Sequence, residues 1–353
     1  MGGVYEEHSG YIPPFLEGFR HRISQKTILC LISIKLFGGQ NFYPFTPEQL
    51  EDMNYMISNR NLSILLLITG FVGISFGGLI MRNINTADPW QIAFYRALAF
   101  LFSITLILFH QHRLGIVTKI KKIGYPGIVG GFFMMLAQLL FIQSFANTSV
   151  ANALFTLSSI PFITAILAFI FLKEKISLTT IIIMFFAFIG IFIMMKDGLE
   201  TGEFYGNIIA LFCAFSFSTF VIILRKNRNI DMMPVNLISG VLTLIVSFVI
   251  SLGNINVPIQ DILLCFLWGG VLSGFVNSVF IFSTRFLLAS EVTFFMLLES
   301  SLGPFWVWIF LNETISQETF YGGIIVMISV AVYSLFEIKN SKIKSVLNGV
   351  ITS

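Results

Sequence analysis

The 353-residue chain is 56% hydrophobic and 11% charged, with 40 phenylalanines and a mean hydropathy of +0.87, whereas soluble domains carry about 25% charged residues. No water-soluble fold hides that much apolar surface, and runs of about 20 apolar residues, the length of a bilayer-spanning helix, recur from Leu62 onward. The net charge of +3 is small and sits mostly in loops, so it bears on orientation in a membrane rather than on nucleic-acid binding.

Residues 1–60 read as a leader. Their one apolar run, "TILCLISIKLF" from Thr27 to Phe37, is too short to span, contains Lys35 and is followed by no small-residue cleavage site. Two readings stay open: an amphipathic surface segment, or a translation start at Met53 or Met56 that would make the leader an artefact. Ten apolar segments follow, at 62–81, 90–109, 124–145, 151–172, 178–195, 204–224, 234–253, 262–285, 291–311 and 319–336. Backbone in lipid must satisfy its own hydrogen bonds, and these runs lack the period-2 alternation of barrel strands, so they are expected to be helices. Pro89, Pro126 and Pro234 fall where helices begin, the position that tolerates a missing N–H. The expected fold class is an all-α polytopic membrane protein whose short connections make consecutive helices antiparallel neighbours.

Lysine and arginine set the direction. With the N-terminus cytoplasmic, the inner loops and tail after Arg60 hold Arg113, Lys119, Lys121, Lys122, Lys173, Lys175, Arg225, Lys226, Arg228, Arg285, Lys339, Lys342 and Lys344, against Arg82 and Lys196 outside. That asymmetry puts both termini in the cytoplasm.

One boundary is written twice. "FIFLKEKIS" at 169–177 returns as "WIFLNETIS" at 308–316, and a shift of 139 residues aligns 130–177 with 269–316 without a gap, with twelve of 48 positions identical. The matched glycine pairs, Gly130 and Gly131 with Gly269 and Gly270, weigh more than the phenylalanines. Five helices per unit is an odd number, so the second unit must enter the membrane with opposite topology, which gives ten transmembrane helices as two inverted five-helix repeats, 61–198 and 199–338, and a cytoplasmic tail at 339–353. Lys173 and Lys175 flank Glu174 at the inner copy, while Asn312 and Thr314 flank Glu313 at the outer one, as the charge rule requires.

Over about residues 61–338 the sequence resembles the EamA-type branch of the drug/metabolite transporter superfamily. The matching pieces are "GISFGGLIMRNINTADPWQIAFYRALAF", with Arg96 at the family's second-span arginine, "TLSSIPFITAILAFIFLKEKIS", with Pro161 thirteen residues before Glu174, and "LLESSLGPFWVWIFLNETIS". The resemblance implies a secondary carrier, often an exporter of amino acids, metabolites or drugs, in a bacterial inner membrane. It implies a central cavity lined by spans one, three, four, six, eight and nine, and no ATP. Departures are Ser300, where many relatives have proline, with Pro304 later, and Phe217 near a common tryptophan position.

Polar side chains inside spans are the site candidates, because stranding them in hydrocarbon costs several kcal/mol. Gln138 and Asn277 are equivalent under the 139 shift and face one cavity or else bond neighbouring helices. Glu299 is the only acid deep in a span, a candidate for proton coupling or for countering an amine; the alternative is an ion pair with Arg96, the only deep cation. Ser158, beside Ser159 before Pro161, either touches substrate or re-satisfies backbone freed by the proline. Phe76, Phe155, Phe217, Trp268, Trp306 and Trp308 are stacking candidates, with lipid or core packing as the plain alternative. Arg285 and Glu291 near membrane ends read as structural. Glycine pairs such as Gly73/Gly77, Gly127/Gly131 and Gly270/Gly274 make close-packing faces.

Cys30, Cys213 and Cys265 have no paired or metal-type spacing, and all four histidines lie outside the spans, so no cofactor or metal is expected and ion or proton coupling stays open. An enzyme is disfavoured, since the spans hold no histidine, G-x-S-x-G elbow or paired carboxylates; a pump lacks a phosphate-binding loop. A channel or a non-transporting receptor on the same repeat is the rival to a carrier. The expected partners are a small organic solute and the bilayer, with neither nucleic acid nor ATP, and the oligomeric state stays open.

Overall fold

The computed structural model describes residues 47–112, 116–173, 178–201, 204–287, 289–312, 316–318, 320–329, 331–332 and 335–336. Among them every regular element is helical and no strand occurs. In chain order the elements are α1 (Pro47–Ile74), α2 (Gly77–Arg82), α3 (Pro89–His112), α4 (Ile116–Asn147), α5 (Val150–Leu157), α6 (Ile160–Leu172), α7 (Leu178–Thr201), α8 (Phe204–Lys226), α9 (Val235–Ile250), α10 (Ile259–Phe266), a π-helical turn (Leu267–Ser273), α11 (Gly274–Ser283), α12 (Ala289–Phe294) and α13 (Met296–Leu311).

Six helical stretches are long and apolar enough to cross a membrane: Arg60–Arg82, Pro89–His110, Thr118–Asn147, Val150–Leu172, Phe204–Lys226 and Ile259–Ser283. Shorter apolar helices occupy Ile181–Ile193, Val235–Ile250, Leu298–Leu311 and Phe320–Ser329, so each of the ten expected segments holds one helix. With large apolar side chains such as Phe102, Phe169, Phe185 and Phe188 more than half exposed, the surface is that of an integral, multi-pass membrane protein.

Helix boundaries follow local chemistry. α1 starts at Pro47, well before residue 62, because proline suits the first helical position and Glu48, Glu51 and Asp52 complement the positive end of the helix. The 27–37 run, Cys30, Glu174 and Glu313 lie outside the described residues. Pro89 opens α3 and Pro234 caps α9, while Pro126 follows a kink in α4 at Gly124, where φ is 54°. Ser149 caps α5 by accepting the Asn152 N–H at 3.2 Å. At the break between α5 and α6, Ser158 Oγ donates to the Leu154 carbonyl at 3.1 Å, re-satisfying backbone as the proline context suggested.

Two features recur at a spacing of 139. α5 begins at Val150 and α12 at Ala289. α6 and α13 both end on a left-handed residue, Lys173 (φ 57°) and Asn312 (φ 51°), the conformation that closes many helix C-termini.

The buried side chains gather in two large clusters. One holds Leu67, Phe71, Phe100, Phe220 and Phe280; the other holds Phe145, Leu154, Ile160, Cys213 and Trp268. Polar bonds tie the bundle at both ends. At the end where α2 finishes, Arg82 Nη2 donates to the Thr148 carbonyl at 3.2 Å. There too, Asp261 Oδ2 accepts from the Thr86 hydroxyl at 2.6 Å and from the Thr86 and Ala87 N–H groups. At the end where α8 finishes, Arg225 Nη1 donates to the Thr284 and Leu287 carbonyls at 3.2 Å each, and Arg285 pairs with Asp231 at 2.8 Å. Thr148 and Leu287 are 139 residues apart, so an arginine at the end of α2 and one at the end of α8 reach equivalent carbonyls.

Candidate functional site

The seam between the two buried clusters encloses a cavity of about 90 Å³, room for roughly six to nine water molecules at 10–15 Å³ each. Its wall draws on α1, α3, α4, α5, α6, α8, α11 and α13. Ile74 and Cys213, Ala137 and Val276, Gln138 and Asn277, Phe141 and Phe280, Leu157 and Met296, and Ile160 and Glu299 all line it, and each pair is separated by 139 residues. The cavity therefore lies where the repeated positions of the two halves meet. The resemblance did not place α3 in this wall; Arg96 brings it there.

Arg96 is 9% exposed and is gripped by the π-helical turn. Its guanidinium carbon lies 4.6 Å from the Trp268 ring centre and 5.6 Å from that of Phe141, a cation–π setting strengthened by burial. Nη2 donates to Ser273 Oγ at 3.0 Å, while Nε is buried without a partner. The turn comes this close because residue 269 is glycine: a Cβ there would fall on the Arg96 carbonyl oxygen. π-helical turns are rare and recur at functional sites, and the equivalent residues of the first half, 128–134, are ordinary α-helix.

Glu299, 7% exposed, faces the same cavity. The expected alternative of an Arg96–Glu299 ion pair is not realised: among the described residues no ion pair joins the two, and Arg96 uses Ser273 instead. Ser273 holds Arg96 back in the π-helical turn, which leaves both charges to the cavity. Asn277 Nδ2 donates to the Ser273 carbonyl of its own helix at 2.9 Å. Gln138 is bound on both sides of its amide to α9, Nε2 to Ser239 Oγ at 3.4 Å and Oε1 from Thr243 Oγ1 at 3.3 Å. Both members of the pair thus line the cavity, and Gln138 also ties two helices together.

The aromatic candidates divide. Phe217 lines the cavity and meets Phe280 edge-on at 5.3 Å. Phe76 and Trp306 stack on each other at 4.7 Å, with Trp306 Nε1 donating to Ser75 Oγ at 3.0 Å, outside the cavity wall. Phe155 packs with Phe162, Ala187 and Val326 in a separate cluster, and Ser158 is turned into its own helix; neither touches the cavity. Trp308 is exposed. Arg285 has its structural partner in Asp231. Two contributors escaped sequence reasoning, Ser273 and Phe141. Ser273 carried a signal: a serine four residues after a glycine of the matched pair, where the first half has Met134.

The comparisons with known proteins agree with this architecture. No curated protein matches the chain. A solved structure described only as "Crystal structure of protein" superimposes with a TM-score of 0.58 at 11% identity, covering 78% of this chain and 98% of that one, a likeness of fold alone. The model of the EamA-like transporter family matches residues 61–196. Over those residues the chain belongs to the EamA-like transporter family, within the drug/metabolite transporter superfamily.

Proposed function

We propose that the protein is a secondary carrier that moves small organic solutes, such as amino acids or related amphipathic metabolites, out of the cell by alternating access. In this reading ten helices cross the membrane as two inverted five-helix repeats, 61–198 and 199–338, with both termini cytoplasmic in a bacterial inner membrane. The observation that carries it is the cavity wall built from residue pairs 139 apart, since inverted-repeat carriers form their substrate sites where the two halves meet. Arg96, Gln138, Asn277, Phe217 and Glu299 are its substrate-facing groups, Glu299 being the candidate for proton coupling or for holding an amine. The family match supports transport over catalysis.

Counterflow tests the proposal. Liposomes holding the purified protein and preloaded with a panel of unlabelled amino acids and small metabolites should concentrate the matching labelled solute transiently. Solute flux without stimulation from the opposite side would replace the carrier by a channel; binding with no flux would replace it by a receptor.

A further inference from the structure

We infer that Arg96, with Trp268, Phe141 and Ser273, forms an anion subsite that takes a single carboxylate of the transported solute. The inference rests on the cavity being the substrate site. A guanidinium carries five N–H donors, and Arg96 spends one, on Ser273 Oγ. Its Nε is buried and unpartnered, and no acid lies within ion-pair reach among the described residues. A buried cation in that condition is strongly destabilising unless an anion arrives, and the planar fork of arginine matches the two oxygens of a carboxylate.

The setting is built rather than incidental. Trp268 and Phe141 hold the guanidinium plane, Ser273 fixes one end of the fork, and the glycine at 269 brings the turn against the Arg96 backbone. Phosphate esters want several cationic groups, whereas Arg96 is the one cationic side chain in this wall. A monoanion of modest size therefore suits the cavity. Ser273 acts as a positioning residue, through Arg96.

The test compares 4-methylpentanoate with its uncharged isostere 4-methylpentanamide, at neutral pH, on the full chain in nanodiscs, reading thermal unfolding and tryptophan fluorescence. The carboxylate is expected to bind at least tenfold more tightly than the amide. Arg96→Gln should abolish that preference, and Arg96→Lys, which keeps charge but loses the fork, should reduce it about tenfold. Ser273→Ala should weaken the carboxylate several-fold and leave the amide unchanged, with Ser273→Thr restoring it. Equal binding of acid and amide by the unaltered protein, a comparison that needs no variant to fold, would overturn the inference, as would a preference that survives Arg96→Gln. The carrier reading fails separately: preference for the acid without counterflow leaves the subsite standing and removes the carrier, and counterflow without that preference does the reverse.

Discussion

The two halves of the molecule share a skeleton and differ in chemistry at the cavity. Where the first half offers Met134 and Ile160, the second offers Ser273 and Glu299 at the same repeat positions. Even the matched amides behave differently, for Gln138 is committed to α9 and Asn277 bonds its own helix. A duplicated unit can therefore keep its helix starts, breaks and caps while one copy becomes the apolar wall and the other the polar one. Arg96 belongs to the first half by sequence, yet it is held by the π-helical turn of the second.

Matched substitutions sharpen this contrast. The largest difference is expected at Gly130 and Gly269. Gly269→Ala should cost more than about 3 kcal/mol or yield no folded protein, because the methyl meets the Arg96 carbonyl oxygen and backbone there has no room to shift. Gly130→Ala meets its nearest neighbour, Ile223, at 3.4 Å and should change stability by no more than about 1 kcal/mol. Thermal unfolding in detergent measures both, and equal effects would break the claim that only the second copy is pressed against α3.

A smaller difference is expected at the amides. Gln138→Ala should lower stability by about 1 kcal/mol, the scale of an interhelical polar bond in a membrane. Asn277→Ala should leave the melting temperature nearly unchanged and cut counterflow about tenfold, the equivalent of about 1.4 kcal/mol. The reverse pattern would make Asn277 the tie and Gln138 the solute contact.

The smallest effect is expected at the two left-handed caps. Lys173→Gly should stabilise by about 1 kcal/mol, because a β-carbon is strained at φ 57°. Asn312→Gly should gain only a few tenths of a kcal/mol, since asparagine tolerates that conformation. Chemical denaturation of the two variants side by side reads the difference.

Much of this was legible in the sequence, and the reasons are physical. A polar residue inside an apolar run stands out because lipid penalises it, which is why Arg96, Gln138, Asn277 and Glu299 were identified and all four line the cavity. Prolines and the repeat fixed helix starts, since both act locally. Phenylalanine carries no such signal: Phe155 and Phe217 look alike in the sequence, and only helix rotation sends one to a remote cluster and the other to the cavity. The π-helical turn was also hidden, because "LWGGVLS" is as apolar and helix-like as its neighbours. The ion pair weighed for Arg96 and Glu299 failed for a related reason, since pairing depends on where Ser273 places the guanidinium.

The arginine bonds at the two ends of the bundle, Arg82 to Thr148 and Arg225 to Thr284 and Leu287, are made in the same structure. In the proposed carrier this is an airlock with both doors on the latch. Releasing one charged hydrogen bond costs about 1.5–3 kcal/mol, so a door left to thermal motion stands ajar roughly 1–10% of the time. A latch of that strength keeps ions from leaking through yet yields to a modest preference of the bound solute for one open form. The repeat supplies it twice, once for each side of the membrane, by placing the same carbonyl at the end of each copy.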